Sequence, residues 1–373
     1  MTFVRPPIKF VHQILPQFVS RDAIGNESLL IQAALKEIGI GGEIFFDERG
    51  DRHAGLPFDR FVNVAPADSS VCLYHFSVGS AIPFRLKELG QKIWARYHNI
   101  TPGYFFNKPL EVGARMACNL GRRQIPIVAM LSEVILADSG YNLAEIGPYS
   151  EARLGVIPIL RDYEVLLAQG KSAAGLIPKG GNRKNILFVG RICPNKAQHD
   201  LVELVAIAQK YTSLKLRLIL IGGFYSDDFR EAMLGFAAEL GLKTSVGSQI
   251  DWTADVVVLG SISDAEMASC YRDADAFTCL SDHEGFGVPL VEAMTFELPV
   301  LAHRSSAVTE TVGMAGLMVD KSNKVDLLKN LELVLNDSQV RSDLKAKGRS
   351  RAKELGLAAS KQKLVSFIQG GAP

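Results

Sequence analysis

The sequence of 373 residues contains five cysteines and no CxxC pair. The cysteines are scattered, at positions 72, 118, 193, 270 and 279. An odd and dispersed set argues against a disulfide framework and against a zinc site. It fits reduced, mostly buried thiols, so we expect a cytoplasmic protein.

Long apolar runs and a strong charge imbalance are also missing. No stretch of about 18 uncharged apolar residues occurs, so no transmembrane helix is expected, and MTFVRPPIKF lacks the apolar run of a signal peptide. The net charge of +1 gives no reason to expect nucleic-acid binding. No GxGxxG follows the first predicted strand of either half, which argues against a dinucleotide oxidoreductase.

What the chain does contain is an alternation of short apolar segments and amphipathic, helix-like segments. Segments such as ILFVGR and LRLILIGG are apolar on both faces, which is typical of parallel strands covered by helices. The alternation predicts a doubly wound α/β architecture. Because 373 residues exceed what one core usually serves, we expect two Rossmann-like domains that face each other across a cleft.

One segment, Ala168–Asn185, breaks this alternation, because it is rich in Gly, Ala and Lys and has no strong period. We predict an N-terminal domain over 1–170, a linker over 171–184 and a C-terminal domain over 185–373. The final helix is a candidate to pack back on the N-terminal domain.

The segment SDHEGFGVPLVEAM follows the predicted strand AFTCL, so it lies at the strand edge where open α/β sheets bind ligands. Gly285 and Gly287 permit a tight turn and the close approach of a ligand. The N–H groups of this loop and of the following helix can bind an anion. Glu284, and Glu292 in the predicted first helical turn, can accept hydrogen bonds from sugar hydroxyls. The alternative is structural, an acid that favours the helix dipole beside a tight turn.

A second loop, GRICPNK, follows the strand ILFV. Gly190 lets the chain turn as it leaves the sheet, and Arg191 and Lys196 are then placed to reach an anion. A guanidinium binds phosphate oxygens in a bidentate manner, and an ammonium acts as a compact charge. The alternative is a pair of solvated surface cations.

These segments together resemble the retaining glycosyltransferases of family 4, which have the GT-B fold. The resemblance extends from Asn185 to Asp320, and its most specific element is the E-x7-E spacing of Glu284 and Glu292. One departure is Ala197, where a glycine is usual after the lysine. The matching pieces, in the usual order, are VGRICPNK, LILIGG, VVVLGSISDAEMASCYRDADAFTCLSDHEGFGVPLVEAM and LPVLAHRSSAVTETVGMAGLMV.

The resemblance implies a UDP- or GDP-sugar donor on the C-terminal domain and an acceptor, a glycan or a lipid-linked molecule, on the N-terminal domain. It implies that Arg191 and Lys196 neutralise the diphosphate. It also implies that Glu292 holds the ribose and that Glu284 contacts the transferred sugar. The implied donor-binding set is Gly25, Gly190, Gly222, Ile262, Gly285, Phe286, Gly287, Leu290 and Glu292.

In the first half, the loop RDAIGNES is expected to bring the backbone at Gly25 close to the ligand, with helix capping by Asn26 or by the preceding loop as the alternative. His98 follows the predicted strand KIWARYH, and the resemblance assigns it a catalytic role through a hydrogen bond to the 6-hydroxyl of the donor sugar. The alternative for His98 is a structural hydrogen bond, which is also the favoured role of His75.

No metal and no cofactor besides the donor are expected. Asp273 and Asp275 have the spacing of a DxD metal motif, but they precede a strand and so lie at the edge away from the loops. We expect them to pair with neighbouring residues instead.

The expected reaction is transfer of a hexose-type sugar to an acceptor hydroxyl with retention at the anomeric carbon, in polysaccharide, glycolipid or other glycoconjugate synthesis. One alternative is a sugar-nucleotide epimerase, which shares the fold but would need an acid/base set that the first half does not show. Another is a catalytically silent sugar-nucleotide-binding protein, which would keep the motifs.

A further hypothesis concerns the inner face of the plasma membrane. The segment PFRLKELGQKIWARY combines bulky apolar residues with the basic residues Arg85, Lys87, Lys92 and Arg96, a composition that can dock on anionic lipid. The alternative is a core-packed helix and strand with one solvated face.

Overall fold

The structure is a computed structural model that describes residues 8–18, 22–50, 55–61, 69–108, 111–178 and 182–370. The chain forms two compact units. The first unit contains Met1–Arg161 and Gly356–Pro373, and the second contains Asp162–Leu355. Each unit is built on one parallel, seven-stranded sheet flanked by helices, so the predicted doubly wound α/β class is confirmed.

The sheet of the first unit has the order β3-β2-β1-β4-β5-β6-β7. Its strands are β1 Phe10–Phe18, β2 Ile44–Gly50, β3 Leu56–Pro57, β4 Ser70–Phe76, β5 Ile93–Tyr97, β6 Ser132–Ala137 and β7 Arg153–Val156. Its helices are α1 Ala23–Glu37, α2 Phe58–Phe61, α3 Ile82–Glu88, α4 Val112–Leu131, α5 Gly140–Ile146 and, at the end of the chain, α14 Leu357–Ile368.

The sheet of the second unit has the order β10-β11-β9-β8-β12-β13-β14. Its strands are β8 Lys184–Val189, β9 Leu216–Ile221, β10 Thr244–Val246, β11 Val256–Gly260, β12 Ala276–Cys279, β13 Val300–His303 and β14 Gly316–Val319. Its helices are α6 Tyr163–Ser172, α7 Gln198–Tyr211, α8 Asp227–Glu239, α9 Asp264–Asp273, α10 Val288–Thr295, α11 Val308–Val312, α12 Lys324–Asn336 and α13 Ser338–Glu354.

The central strands are buried on both faces, as their composition predicts. Every residue of β4 and of β9 is buried. In each sheet the first strand of the unit lies in the middle. The chain builds the sheet from this strand toward one edge and then crosses over to build toward the other edge. The direction of winding therefore reverses between β1 and β4 and between β8 and β12. Ligands of such sheets bind beyond the carboxyl ends of the strands at these points.

The units divide at Arg161 rather than at the predicted residue 170. Helix α6 belongs to the second unit, because the Arg272 guanidinium donates to the carbonyl oxygens of Gly170 and Ala173. A Cβ at Gly170 would lie 2.6 Å from the ring of Phe296, so this contact requires glycine. Within the predicted linker, residues 179–181 lie outside the described residues.

Helix α14 supplies Leu364 and Phe367 to the core of the first unit, so the end of the chain returns to the unit in which it began. Within the described ranges, none of the helices is both long enough and apolar enough to cross a bilayer.

Candidate functional site

The candidate site of the second unit is built around the loop from Ser281 to Gly287, which joins β12 to α10. This loop follows one of the two strands at the reversal point, and the loop Gly190–Lys196 follows the other. The two segments that the sequence singles out therefore lie side by side, since β8 and β12 pair in parallel.

Neighbouring loops fix the β12–α10 loop through three buried or half-buried side chains. Asn195 Nδ2 donates to the carbonyl oxygen of His283 at 3.2 Å, and the Asn195 carbonyl oxygen accepts the N–H of Asp282 at 2.9 Å. Ser306 Oγ accepts the N–H of Glu284 at 2.8 Å. Thr311 Oγ1, on α11, donates to the carbonyl oxygen of Phe286 at 2.6 Å. The position of the Glu284 backbone is thus set by the loops after β8 and β13 and by α11.

Two glycines are required by the backbone itself. Gly222, at the end of β9, has φ +139°, and a Cβ there would lie 2.1 Å from the carbonyl oxygen of Gly190. Gly287 has φ +90° directly before α10, and a Cβ there would lie 2.7 Å from Leu290. Both φ values lie in the region that side chains disfavour, so the loops need glycine for their course as well as for space.

Lys196 and Glu284 form an ion pair with 2.5 Å between Nζ and Oε2. Both side chains are largely shielded from solvent, with exposures of 21% and 11%. Burial acts to lower the pKa of the Lys196 ammonium, but the Glu284 carboxylate outweighs it, so the pKa is raised. Lys196, predicted to bind the diphosphate, is therefore paired with Glu284, predicted to contact the transferred sugar.

The remaining members of the predicted set differ in exposure. The Arg191 side chain is exposed and, within the described part of the chain, enters no ion pair. Ile262 is half-buried in the loop between β11 and α9. Phe286 and Leu290 are buried, and the Leu290 N–H donates to the Gly287 carbonyl oxygen. The side chains of Phe286 and Leu290 therefore belong to the core of the second unit.

Glu292 is the fifth residue of α10, so the prediction that it lies in the first helical turn is wrong. Its side chain is buried, and Oε2 accepts a hydrogen bond of 2.8 Å from the Tyr271 hydroxyl. Tyr271 is itself fully buried on α9, where its ring stacks on Phe296. A side chain from a second helix therefore holds the Glu292 carboxylate.

In the first unit, Gly25 is the third residue of α1 and is buried, so the prediction that it lies in a loop is wrong. Its carbonyl oxygen accepts a hydrogen bond of 2.7 Å from Ser28 Oγ. Asn26 does not cap this helix, because the N-cap position is Asp22. Arg21, the first residue of the predicted loop, lies outside the described residues.

His98 follows β5 at the carboxyl edge of the sheet, as predicted, and both of its ring nitrogens are engaged. Nδ1 lies 3.0 Å from Asp138 Oδ2, and Nε2 lies 2.9 Å from His75 Nδ1. Asn99, the next residue, has φ +71°, a left-handed conformation that asparagine tolerates better than most residues. His75 is buried, and burial followed by the charges of His98 and Arg96 lowers its pKa well below the ordinary range.

Arg96, on β5 two residues before His98, is fully buried. Its Nη2 is 2.6 Å from Glu27 Oε1 and 2.8 Å from Asp138 Oδ1. The hypothesis that Arg96 belongs to a lipid-binding patch is therefore wrong, and the patch also loses Trp94, which is buried. Arg85 pairs with Asp47 at 2.9 Å, so its charge is already balanced.

Asp273 and Asp275, which have the DxD spacing, pair with neighbouring residues, as the sequence predicts. Asp273 pairs with Arg272 at 2.6 Å. Asp275 lies 3.5 Å from Lys184 Nζ and accepts the backbone N–H of Asn185 at 2.8 Å.

The family model that matches this chain covers most of its second unit. Residues 176–351 match the sequence model of the family described as Glycosyl transferases group 1. The O-antigen chain mannosyltransferase B of Escherichia coli is 27% identical over 169 residues, 45% of this chain and 41% of that protein. The GDP-mannose:cellobiosyl-diphosphopolyprenol alpha-mannosyltransferase of Xanthomonas campestris is 34% identical over 153 residues, 40% of this chain and 35% of that protein. The matched stretch thus spans less than half of either relative.

The likeness in structure extends over both units. The crystal structure of Anabaena HepE in complex with UDP and glucose has a TM-score of 0.67 to this chain at 17% identity, and it covers 97% of this chain and 100% of that one. This likeness shows that the chain has the GT-B fold. The family match and the sequence relatives support a glycosyltransferase family.

Several residues that build the site cannot be identified from the sequence. Asn195 and Ser306 stand inside the quoted segments GRICPNK and LPVLAHRSSAV, but no pattern there marks them as partners of the β12–α10 loop. In the sequence, Tyr271 occupies what looks like an ordinary apolar position of a helix. Arg96 and Glu27 are distant in sequence, and only the folded sheet brings them together.

Proposed function

We propose that this protein is a retaining glycosyltransferase that moves a hexose-type sugar from a UDP- or GDP-sugar to an acceptor hydroxyl. The observation that carries the proposal is the Lys196–Glu284 ion pair at the β8/β12 reversal point, with Glu292 behind the same loop. A cation for the diphosphate and two carboxylates for hydroxyls are what a nucleotide-sugar donor requires. The family match supports the same reaction class.

In this proposal the Lys196 ammonium changes partner when the donor binds. The diphosphate oxygens take over the cation that is paired with Glu284, and the released carboxylate accepts hydrogen bonds from the transferred sugar. As the glycosidic bond breaks, negative charge grows on the diphosphate. Lys196, Arg191 and the N-terminus of α10 stabilise that charge where it develops.

The proposed acceptor is a glycan or a lipid-linked molecule in polysaccharide, glycolipid or other glycoconjugate synthesis. The Escherichia coli and Xanthomonas campestris relatives are named for O-antigen and diphosphopolyprenol acceptors, which supports this class. The proposed location is the cytoplasm, which the unpaired cysteines favour. Retention at the anomeric carbon rests on the resemblance to family 4.

The first experiment is a thermal-shift screen with UDP, GDP and their sugars, followed by incubation of labelled donors with candidate acceptors. Transfer of label to an acceptor supports the proposal. Release of a free epimer would identify a sugar-nucleotide epimerase instead. Binding without any turnover, in the presence of a lipid extract and of soluble glycans, would favour a silent sugar-nucleotide-binding protein.

We further propose that transfer needs no metal ion, because Lys196 and Arg191 supply the counter-charge that a divalent cation would otherwise provide. Within the described ranges, the group of side chains close enough to hold a metal is Glu27, His75 and His98 in the first unit, and Arg96 already donates to that glutamate. Transfer that is unchanged in EDTA is the expected result. Transfer that stops in EDTA and returns with Mg²⁺ or Mn²⁺ would contradict it.

A further inference from the structure

We propose that His98 is an imidazolium cation in the folded protein, and that Asp138, His75 and Gln13 are the positioning residues that keep a proton on both of its ring nitrogens. The inference deepens the proposed function, because His98 is the residue of the first unit assigned to the donor sugar. Its test does not depend on sugar transfer.

The observation is an unbranched chain of hydrogen bonds through the first unit. His98 Nδ1 faces Asp138 Oδ2 at 3.0 Å, and His98 Nε2 faces His75 Nδ1 at 2.9 Å. His75 Nε2 faces Gln13 Oε1 at 2.9 Å, and Gln13 Nε2 donates to the Ser28 carbonyl oxygen at 2.8 Å. All five residues are buried, so water does not replace a missing proton or acceptor.

The protons can be counted from the Ser28 end. A carbonyl oxygen only accepts, so Gln13 turns its NH₂ group to Ser28 and its oxygen to His75. His75 Nε2 therefore carries a proton. One proton lies in the contact between the two rings, and we place it on His98 Nε2, because burial lowers the pKa of His75 well below its usual range and so favours a neutral ring whose Nδ1 accepts. The Asp138 carboxylate at the other end accepts only, so His98 Nδ1 carries a proton as well.

The balance of buried charge requires the same proton. Two carboxylates, Glu27 and Asp138, are at most 1% exposed. Arg96 contacts both, at 2.6 and 2.8 Å, and balances one of them. A second positive charge on His98, 3.0 Å from Asp138 and 3.7 Å from Glu27, makes the group neutral. A neutral His98 would leave a buried net charge of one electron, which costs free energy.

Two other arrangements of the same atoms are less favourable. Turning the Gln13 amide around would let both rings stay neutral, but it would put the amide oxygen 2.8 Å from the Ser28 carbonyl oxygen, two acceptors in contact. Moving the proton from His98 to Asp138 is opposed by the stronger basicity of imidazole compared with a carboxylate. The Arg96 guanidinium at 2.8 Å also favours the carboxylate anion.

A consequence follows for the proposed reaction. Both N–H groups of His98 are already donated, so a sugar hydroxyl receives one of them only by displacing His75. The incoming donor then meets a cation at this edge of the sheet rather than a neutral ring. The titratable and charged groups that face this cation are Glu27 from α1, His75 from β4, Arg96 from β5 and Asp138 after β6.

The test is long-range ¹H–¹⁵N correlation NMR of the full chain with ¹⁵N-labelled histidine at about pH 7.5, where an ordinary histidine is mostly neutral. The signals of His98 and His75 are assigned by their loss in His98→Gln and His75→Gln, and His199, whose side chain is 51% exposed, gives the reference for a solvated ring. We expect His98 to show two protonated ring nitrogens and His75 to be protonated on Nε2 alone. A neutral His98 ring, on either tautomer, would overturn the inference.

A second measurement uses Asp138→Asn, which removes the acceptor-only carboxylate and one buried negative charge. The amide can donate to His98 Nδ1, so we expect His98 to become neutral, while the matched surface variant Asp228→Asn leaves the signal unchanged. A doubly protonated His98 in Asp138→Asn would contradict the role given to Asp138. If Asp138→Asn does not fold, the wild-type spectrum still shows whether His98 is protonated on both ring nitrogens. A cationic His98 in a chain that transfers no sugar would overturn only the proposed function.

Discussion

At the scale of single residues, the two glutamates of the E-x7-E spacing have different neighbours. Glu284 is half-buried and lies against Lys196 Nζ. Glu292 is buried and bound by the Tyr271 hydroxyl. A carboxylate that holds a cation exchanges partners when an anion arrives, whereas a carboxylate held by a neutral hydroxyl has no cation to give up. The two side chains are therefore suited to different parts of a donor.

We predict that Glu292→Ala weakens the binding of the free nucleotide, UDP or GDP, by about 10- to 100-fold, the typical cost of a hydrogen bond to a charged group. Glu284→Ala should leave nucleotide affinity within roughly threefold, because the Lys196 ammonium it releases remains available to the diphosphate. Its turnover should fall by much more than its affinity. Calorimetric titration measures the nucleotide affinity of each variant, and initial rates measure its turnover.

The matched control for this pair is Glu239→Ala, an exposed acid at the end of α8. Equal losses of nucleotide affinity in Glu284→Ala and Glu292→Ala would contradict the division, as would normal transfer by Glu284→Ala.

A second prediction concerns Tyr271, which the motif does not contain. Tyr271→Phe removes the hydroxyl that donates to Glu292 at 2.8 Å and keeps the ring that stacks on Phe296. We expect the free energy of unfolding to fall by about 1.5–3 kcal/mol, since a buried charged group loses one hydrogen bond. Nucleotide affinity should fall roughly tenfold, because Glu292 is no longer oriented. Tyr211→Phe, at an exposed tyrosine, is the control. Unchanged affinity in Tyr271→Phe would show that Glu292 does not depend on this bond.

The residue types at the site were predictable where chemistry restricts them to a loop after a strand, as for Lys196, Glu284 and Gly287. Their partners were not, because a buried polar residue has no distinctive local pattern. Arg96 illustrates the limit. Its sequence neighbours are basic and apolar, which suggests a surface patch, and only the contacts with Glu27 and Asp138 show that it lies inside the first unit.

At the scale of elements, the loop between β12 and α10 depends on residues from three other segments. Asn195 makes the central contact, because its side chain donates to the His283 carbonyl oxygen and accepts from Cys193 Sγ at 3.2 Å. Asn195 is 6% exposed, so groups that lose it are not resolvated easily.

We predict that Asn195→Ala lowers the free energy of unfolding by about 1–3 kcal/mol, the cost of leaving a buried polar group without a partner. Turnover should fall as well, because the loop that carries Glu284 is less constrained. Chemical denaturation and amide hydrogen exchange at His283 and Glu284 measure both effects. Asn330→Ala, at a half-buried asparagine of α12 that bonds only within its own helix turn to Asp326, is the comparison. Unchanged exchange in the β12–α10 loop of Asn195→Ala would rule out the proposed constraint.

The prediction of strands succeeds for the buried central strands and for the edge strand β14, and it misses the edge strands β3, β7 and β10. β4 and β9 are mostly apolar and fully buried, whereas the edge strands β3, β7 and β10 are short and have no such run. Helix α4 was not predicted because Gly121 and Pro126 interrupt its pattern, although Gly121 packs against Gly79, where a Cβ would meet the Gly79 backbone nitrogen at 2.6 Å. Tertiary packing therefore overrides the local signal in α4.

At the scale of the whole molecule, the chain leaves the first unit at Arg161 and returns to it at Gly356. Phe367 is the main contribution of the returning segment. Its ring is fully buried, packs against Gly155 at a distance that excludes any larger residue, and lies 3.8 Å from the Arg153 guanidinium. The stability of the first unit therefore depends on the last helix of the sequence.

We predict that Phe367→Ala lowers the free energy of unfolding of the first unit by about 3–5 kcal/mol, the usual cost of removing a buried aromatic ring, and leaves the second unit nearly unaffected. Each unit contains one tryptophan, Trp94 in the first and Trp252 in the second, so single-tryptophan variants report the two units separately. Denaturant titration of Phe367→Ala should shift the Trp94 transition to lower concentration and leave the Trp252 transition in place, and Lys363→Ala, at an exposed position of α14, should shift neither. Equal shifts of both transitions would mean that the units unfold as one cooperative body. No shift of the Trp94 transition would mean that α14 contributes little to the core in which Phe367 lies.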